Sequence, residues 1–113
     1  MDIRFWKGVQ GEVPVEIWLR SLSSDKLGTA LSLLARLRHF GVESMGRHSK
    51  NLKGPGDGLF ELKDKPSGLR VYYCHVKSKS MALILAAGSK GTQQYDIQMA
   101  QGRRKSILKG DLS

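Results

Sequence analysis

Leu59-Phe60-Glu61-Leu62-Lys63, a turn at Asp64-Lys65-Pro66-Ser67-Gly68, and then Leu69-Arg70-Val71-Tyr72-Tyr73-Cys74-His75-Val76 form the stretch on which the fold turns. Both runs alternate in the period-2 manner of strands, and the Pro- and Gly-bearing turn between them predicts a hairpin. Lys77-Ser78-Lys79 turns the chain once more into Met81 to Ala87, which is apolar almost throughout. Such a run predicts a strand covered on both faces. Short turns pair sequential strands with their neighbours, so these three should lie side by side and antiparallel.

Upstream, Ile3-Arg4-Phe5-Trp6 alternates as a short opening strand. Pro14 suits the first turn of a helix, where its missing N–H costs nothing. Val15, Trp18, Leu19 and Leu22 then share one helical face. Ser23-Ser24-Asp25 reads as a break and a new N-cap. A longer helix follows, with Leu27, Ala30, Leu31, Leu34 and Leu37 on its inner side, widened by Leu33 and Phe40, and Gly41 placed to end it. These two helices predict an antiparallel hairpin. Residues 41–58, with Gly54-Pro55-Gly56-Asp57-Gly58, read as a loop carrying Arg47, His48, Lys50 and Lys53. Downstream, Thr92 can cap a last helix in which Ile97, Ala100, Arg104, Ile107 and Leu108 share a side and Arg103-Arg104-Lys105 form a basic cluster. The order β-α-α-β-β-β-α predicts one α+β domain over residues 1–113, an antiparallel sheet with the helical hairpin on one face.

Alternation sets the chemistry of the other face. If Phe60 and Leu62 meet the helices, then Glu61 and Lys63 point away, and Arg70 and Tyr72 join them on a face expected to be open. A carboxylate, two cations and a phenol have the parts needed to break RNA. A base must take a 2′-hydroxyl proton, cations must hold the scissile phosphate, and an acid must assist the leaving oxygen. Arg70 suits bidentate phosphate binding, and a tyrosine ring suits stacking on an unpaired base. No metal or cofactor is required by that scheme. The plainer alternative is a cross-strand ion pair of Glu61 with Lys63 or Arg70. Tyr73 and His75, inward by parity, read as core residues. His48 in the basic loop reads as an acid or phosphate contact, and His39 as a complement to a helix C-terminus.

Charge points the same way. The net charge is +9, and its distribution is uneven: residues 1–46 carry six Lys/Arg against five Asp/Glu, residues 47–113 thirteen against five. A single-sign field concentrated in one half attracts nucleic acid or an acidic protein segment. The one cysteine, Cys74, excludes an internal disulfide framework, and no apolar run has the length of a signal peptide or membrane span, so a cytoplasmic location is expected.

Asn51-Leu52-Lys53-Gly54, Gly58-Leu59-Phe60-Glu61-Leu62-Lys63 and Leu69-Arg70-Val71-Tyr72-Tyr73 together resemble the central signature of the RelE/ParE toxin superfamily. The tail, Gly88-Ser89-Lys90-Gly91-Thr92-Gln93 with Asp96-Ile97 and Ala100, is similar to the HigB-like, addiction-module killer branch. The resemblance spans about residues 13–105. It implies a type II toxin that cleaves mRNA at the ribosome and so halts translation. It also implies a cognate helix-turn-helix antitoxin, through which alone operator DNA is contacted. By that resemblance Arg70 acts on the scissile phosphate, and Lys53 and Lys63 bind RNA. Lys90 and Gln93 serve function or helix capping, and Glu61 holds a motif position of structural use. Leu69 departs from the usual tyrosine, and the general acid has no counterpart. With Arg47, His48, Lys50, Arg103 and Arg104 as further RNA contacts, the alternatives are a ParE-like gyrase inhibitor and a non-catalytic basic binding module. Arg70→Ala is expected to abolish growth arrest without unfolding the chain.

Overall fold

The computed structural model describes residues 1–44, 49–51 and 58–107. Strand β1 (Asp2–Phe5) leads to helices α1 (Pro14–Ser21) and α2 (Ser24–Ser44). Strands β2 (Ser49–Asn51), β3 (Leu59–Lys63), β4 (Arg70–Val76) and β5 (Met81–Gly88) follow, and α3 (Gln93–Ser106) closes the order. Pro14 occupies the first turn of α1 as its chemistry requires. Ser23 Oγ accepts the Lys26 N–H at 3.4 Å at the start of α2. Gly41, at φ 78°, breaks the helical backbone of α2, a conformation that a side chain at this position would resist.

The sheet order is β1-β5-β4-β3-β2. The three central strands pair antiparallel as expected, but two features were not foreseen. β1 joins the sheet parallel to β5, so the sheet is mixed. A short β2 also forms within the stretch read as loop, pairing Lys50 with Glu61 across the ladder.

Helices α1 and α2 cover one face. There Val15, Leu19, Ala30, Leu33, Leu34 and Leu37 pack against Leu62, Leu69, Val71, Tyr73, Ala82 and Ile84. Phe60 and Tyr73 stack within this layer at 5.4 Å between centroids. The α2 stripe centres on Leu33, which is fully buried, whereas Leu31 is 49% exposed. Two residues along a helix are a turn of about 200°, which carries Leu31 to the side away from Leu33. The opposite face is covered too, where the sequence led us to expect an open one. Helix α3 lays Ala100, Ile97 and Ile107 on Leu59, Tyr72, Cys74, Met81, Leu83 and Leu85. β5 is therefore buried on both sides.

The alternation of β5 is broken once. Tyr72 pairs with Ala86 and Tyr73 with Ile84, leaving Leu85 as an extra residue. Such a bulge lets two consecutive side chains, Leu85 and Ala86, enter the same layer. No helix among the described residues is long and apolar enough to cross a membrane.

Candidate active site

The β3–β4 hairpin delivers the candidate residues in register. Lys63 pairs with Arg70, and Glu61 with Tyr72. Because facing positions on paired strands point the same way, all four lie on the α3 side of the sheet. The turn between them is stiff. Asp64 accepts the Ser67 N–H at 3.1 Å and its hydroxyl at 2.7 Å, and those bonds hold the Asp64 carboxyl below its ordinary range. Gly68 sits at φ 77°, which completes the turn into β4.

Shared parity does not make a shared surface. Glu61 is 4% exposed, Arg70 6%, and Tyr72 fully buried, while Lys63 is exposed. The cause is the first turn of α3, which roofs this end of the sheet. Gln93 Nε2 donates to Glu61 Oε2 at 2.9 Å. The same oxygen lies 3.6 Å from Arg70 Nε, an ion pair without a hydrogen bond, and Nε has no other acceptor. Arg70 Nη1 donates instead to the Gly68 carbonyl at 2.8 Å. The Tyr72 hydroxyl is buried without a well-formed hydrogen bond. Desolvation first, and the adjacent Glu61 charge second, push its pKa far above that of an ordinary tyrosine. A phenol so enclosed neither stacks on a base nor yields a proton to substrate in this conformation, which corrects the role expected of Tyr72.

The accessible cations surround this buried pair. Lys90 is exposed just before α3, and a Cβ built on Gly68 would lie 3.7 Å from Lys90 Cβ and 4.0 Å from Arg70 Nη1. Lys90 Cβ and Arg70 Nη1 thus flank Gly68, and exposed Lys63 stands opposite Arg70 in the ladder. Lys50 is on β2 with its Cα opposite Glu61. Arg47, His48 and Lys53 lie outside the described residues.

Two further cations read as RNA contacts have other surroundings. Arg103 Nη1 donates to the Leu85 carbonyl at 2.7 Å, and its guanidinium carbon stands 4.7 Å from the Trp6 ring centroid. Burial lowers its pKa. Arg103 ties α3 to the sheet and presents no free fork to a phosphate. Arg104 is half-buried beside Gly58, with its charge felt at Cys74. Cys74 is buried, and desolvation raises its thiol to about 11, which leaves it inert at neutral pH. Among the described residues no three His, Cys, Asp or Glu side chains converge in a way that could hold a metal.

The sequence placed Gly88 and Asp96 in the tail motif but gave neither a role of its own. A Cβ on residue 88 would overlap the Asp96 carboxylate and come within 2.6 Å of Thr92 Oγ1. Thr92 does not cap α3 with its side chain; its hydroxyl donates to Asp96 Oδ2 at 2.6 Å. A Gly, a Thr and an Asp at these spacings were the available signal, since only a residue without Cβ lets the helix start approach so closely.

Five strands with a helical hairpin on one face and a last helix on the other define a RelE-type domain. The chain is similar in fold to the isolated E. coli RelE toxin, with a TM-score of 0.56 and 16% identity over 87% of this chain and 97% of that one. It belongs to the Gp49-like family: the family model "Phage derived protein Gp49-like (DUF891)" matches residues 17–105. The RelE-type fold that the strand motifs led to is borne out. A search of curated proteins gave no match.

Proposed function

We propose that this chain is the toxin of a type II toxin–antitoxin pair and acts as an endoribonuclease on mRNA at the ribosome, in the HigB-like manner. The observation that carries the reading is the placement of exposed Lys63 opposite Arg70 on the β3–β4 hairpin, with exposed Lys90 adjoining Arg70 at Gly68. The fold likeness to a toxin supports it. In this scheme the scissile phosphate docks against Lys63 and Lys90, with Arg70 behind them. The 2′-hydroxyl gives its proton to water and attacks phosphorus, the P–O5′ bond breaks to leave a 2′,3′-cyclic phosphate, the 5′-oxygen takes a proton from water, and the cations offset the charge that builds on the phosphoryl oxygens. Lys63, the exposed member of the four strand residues, is the group able to touch substrate without rearrangement. Lys50 on β2, and Arg47, His48 and Lys53 nearby in sequence, extend the RNA-contacting set. A cognate antitoxin of helix-turn-helix type is the proposed partner, and the cytoplasm the proposed location.

The experiment is induction of the protein followed by 5′-end mapping of transcripts, with gyrase-linked DNA breaks measured in parallel. New in-frame ends that depend on Lys63 support the nuclease. DNA breaks without new RNA ends would replace it with the gyrase-directed alternative, and binding with neither would leave a basic binding module. Arg70→Ala is a poor probe, contrary to the expectation from sequence. It strands Glu61 as an unpaired buried charge, at a cost of about 3–5 kcal/mol. Arg70→Lys keeps the charge and removes the fork.

A further inference from the structure

We infer that Glu61 is a positioning residue and not the base of the reaction, and that Gln93 on α3 sets it. The inference rests on the nuclease reading above and deepens it. A general base has to reach the proton it removes, yet Glu61 is 4% exposed and its Oε2 is already engaged by Gln93 at 2.9 Å. That oxygen faces the Nε side of the Arg70 guanidinium at 3.6 Å, while Nη1 is held by the Gly68 carbonyl at 2.8 Å. A planar guanidinium bonded at Nη1 to that carbonyl, with the Glu61 charge on its Nε side, has little rotational freedom. Its orientation is set by the protein and not by the substrate, so Arg70, itself 6% exposed, supplies a fixed charge behind the exposed Lys63 and Lys90.

Gln93 is the piece that closes this arrangement. Its amide approaches from 32 positions away in sequence, across from the β3–β4 hairpin. Its place is fixed because the start of α3 is pinned by Thr92, Asp96 and the bare backbone of Gly88. Without that N–H donor, Glu61 Oε2 is free to swing onto Arg70 Nε or the Tyr72 hydroxyl, both buried without a hydrogen-bond partner. The guanidinium would turn with it. The reaction centre therefore spans three elements, β3, β4 and α3. Its geometry, more than its affinity for RNA, depends on the helix.

The test is cleavage of ribosome-bound mRNA by the full chain, with kcat and KM separated, for Gln93→Ala, Arg70→Lys and the swap Glu61→Gln with Gln93→Glu. Gln93→Ala is expected to lower kcat about tenfold or more with KM unchanged, as misaimed groups do. The swap restores a hydrogen bond between residues 61 and 93 but moves the charge away from Arg70, so it is expected to melt close to wild type and remain inactive. An unchanged kcat in Gln93→Ala, a rise in KM alone, or an active swap would each overturn the inference. Should the swap not fold, the kcat-against-KM split in Gln93→Ala decides alone. If wild type yields no new RNA ends, it is the nuclease reading that fails, and if Lys63→Ala and Arg70→Lys cleave as wild type does, the site assigned to it fails. If they are impaired while Gln93→Ala is not, only the positioning role fails.

Discussion

Arg103 on α3 donates to the carbonyl of Leu85, the residue that the β5 bulge places out of step with β4. A bulge interrupts the ladder and leaves backbone groups in need of partners. Here a charged donor from the covering helix fills the gap, with the Trp6 ring packed against its guanidinium.

Arg103→Ala should therefore behave as a folding variant. A hydrogen bond to a charged group and a partly buried cation–π contact together are worth about 2–4 kcal/mol, read as a lower urea midpoint with unchanged slope. Arg103→Lys should recover only part, because an ammonium cannot both stack on Trp6 and reach Leu85. The salt dependence of RNA binding should be unaltered in variants that remain folded. A slope reduced by about one would return Arg103 to the phosphate-contacting set.

Gly88→Ala tests the seat of α3. The added Cβ meets the Asp96 carboxylate and Thr92 Oγ1, so overpacking should cost about 1–3 kcal/mol. Adding Asp96→Ala removes the obstacle, and the double variant should lose less than the two singles combined. Strict additivity in denaturation would show that the two residues do not meet.

The strands and their faces were legible because period-2 alternation survives in β3 and β4. Phe60, Leu62, Val71 and Tyr73 go to the hairpin side, and Glu61, Lys63, Arg70 and Tyr72 to the other. What covers that other side was not legible. Gly102 and Arg103-Arg104-Lys105 dilute the apolar face of α3 to Ile97, Ala100 and Ile107, too few to announce a second layer. The expectation of an open face followed, and with it the idea of a solvated cluster. Glu61 and Arg70 are buried because Gln93, whose partner lies 32 positions away, roofs them. No local pattern records such a pairing. The bulge at Leu85 hid for a similar reason: in an all-apolar strand, a change of face leaves no trace in hydropathy.

Lys63→Ala and Lys90→Ala separate chemistry from stability. Both side chains are exposed, so each substitution should move stability by less than about 0.5 kcal/mol. Each removes a cation beside Arg70, and loss of charge stabilisation at a reacting phosphate should lower kcat by about ten- to a hundredfold. Melting temperature and cleavage rate measured on the same preparations give the comparison. A fall in both together would mean that the lysines hold the Gly68 turn and do not act on RNA.

Asp96 gives the pH dependence an unusual sign. Asp96 is 8% exposed, and desolvation raises its pKa above the ordinary 3.8, against the opposing pull of the Thr92 hydroxyl and the Arg103 charge. A carboxyl that binds its proton more tightly when folded favours the folded state at low pH. That contribution is complete below 3.8 and is lost as pH rises through the folded value, where the protein must hold a poorly solvated charge. Asp2 and Asp64, lowered by Arg4 and by Ser67 respectively, act in the opposite direction in acid, so total stability alone does not isolate the effect. The stability difference between wild type and Asp96→Asn does, because the other carboxyls cancel. Wild type should stand best relative to Asp96→Asn in acid, lose ground as pH rises past the Asp96 titration, and level off by neutrality. A difference that is flat from acid to neutral pH, measured by urea unfolding at fixed ionic strength, would mean that Asp96 keeps an ordinary pKa and is hydrated at the start of α3.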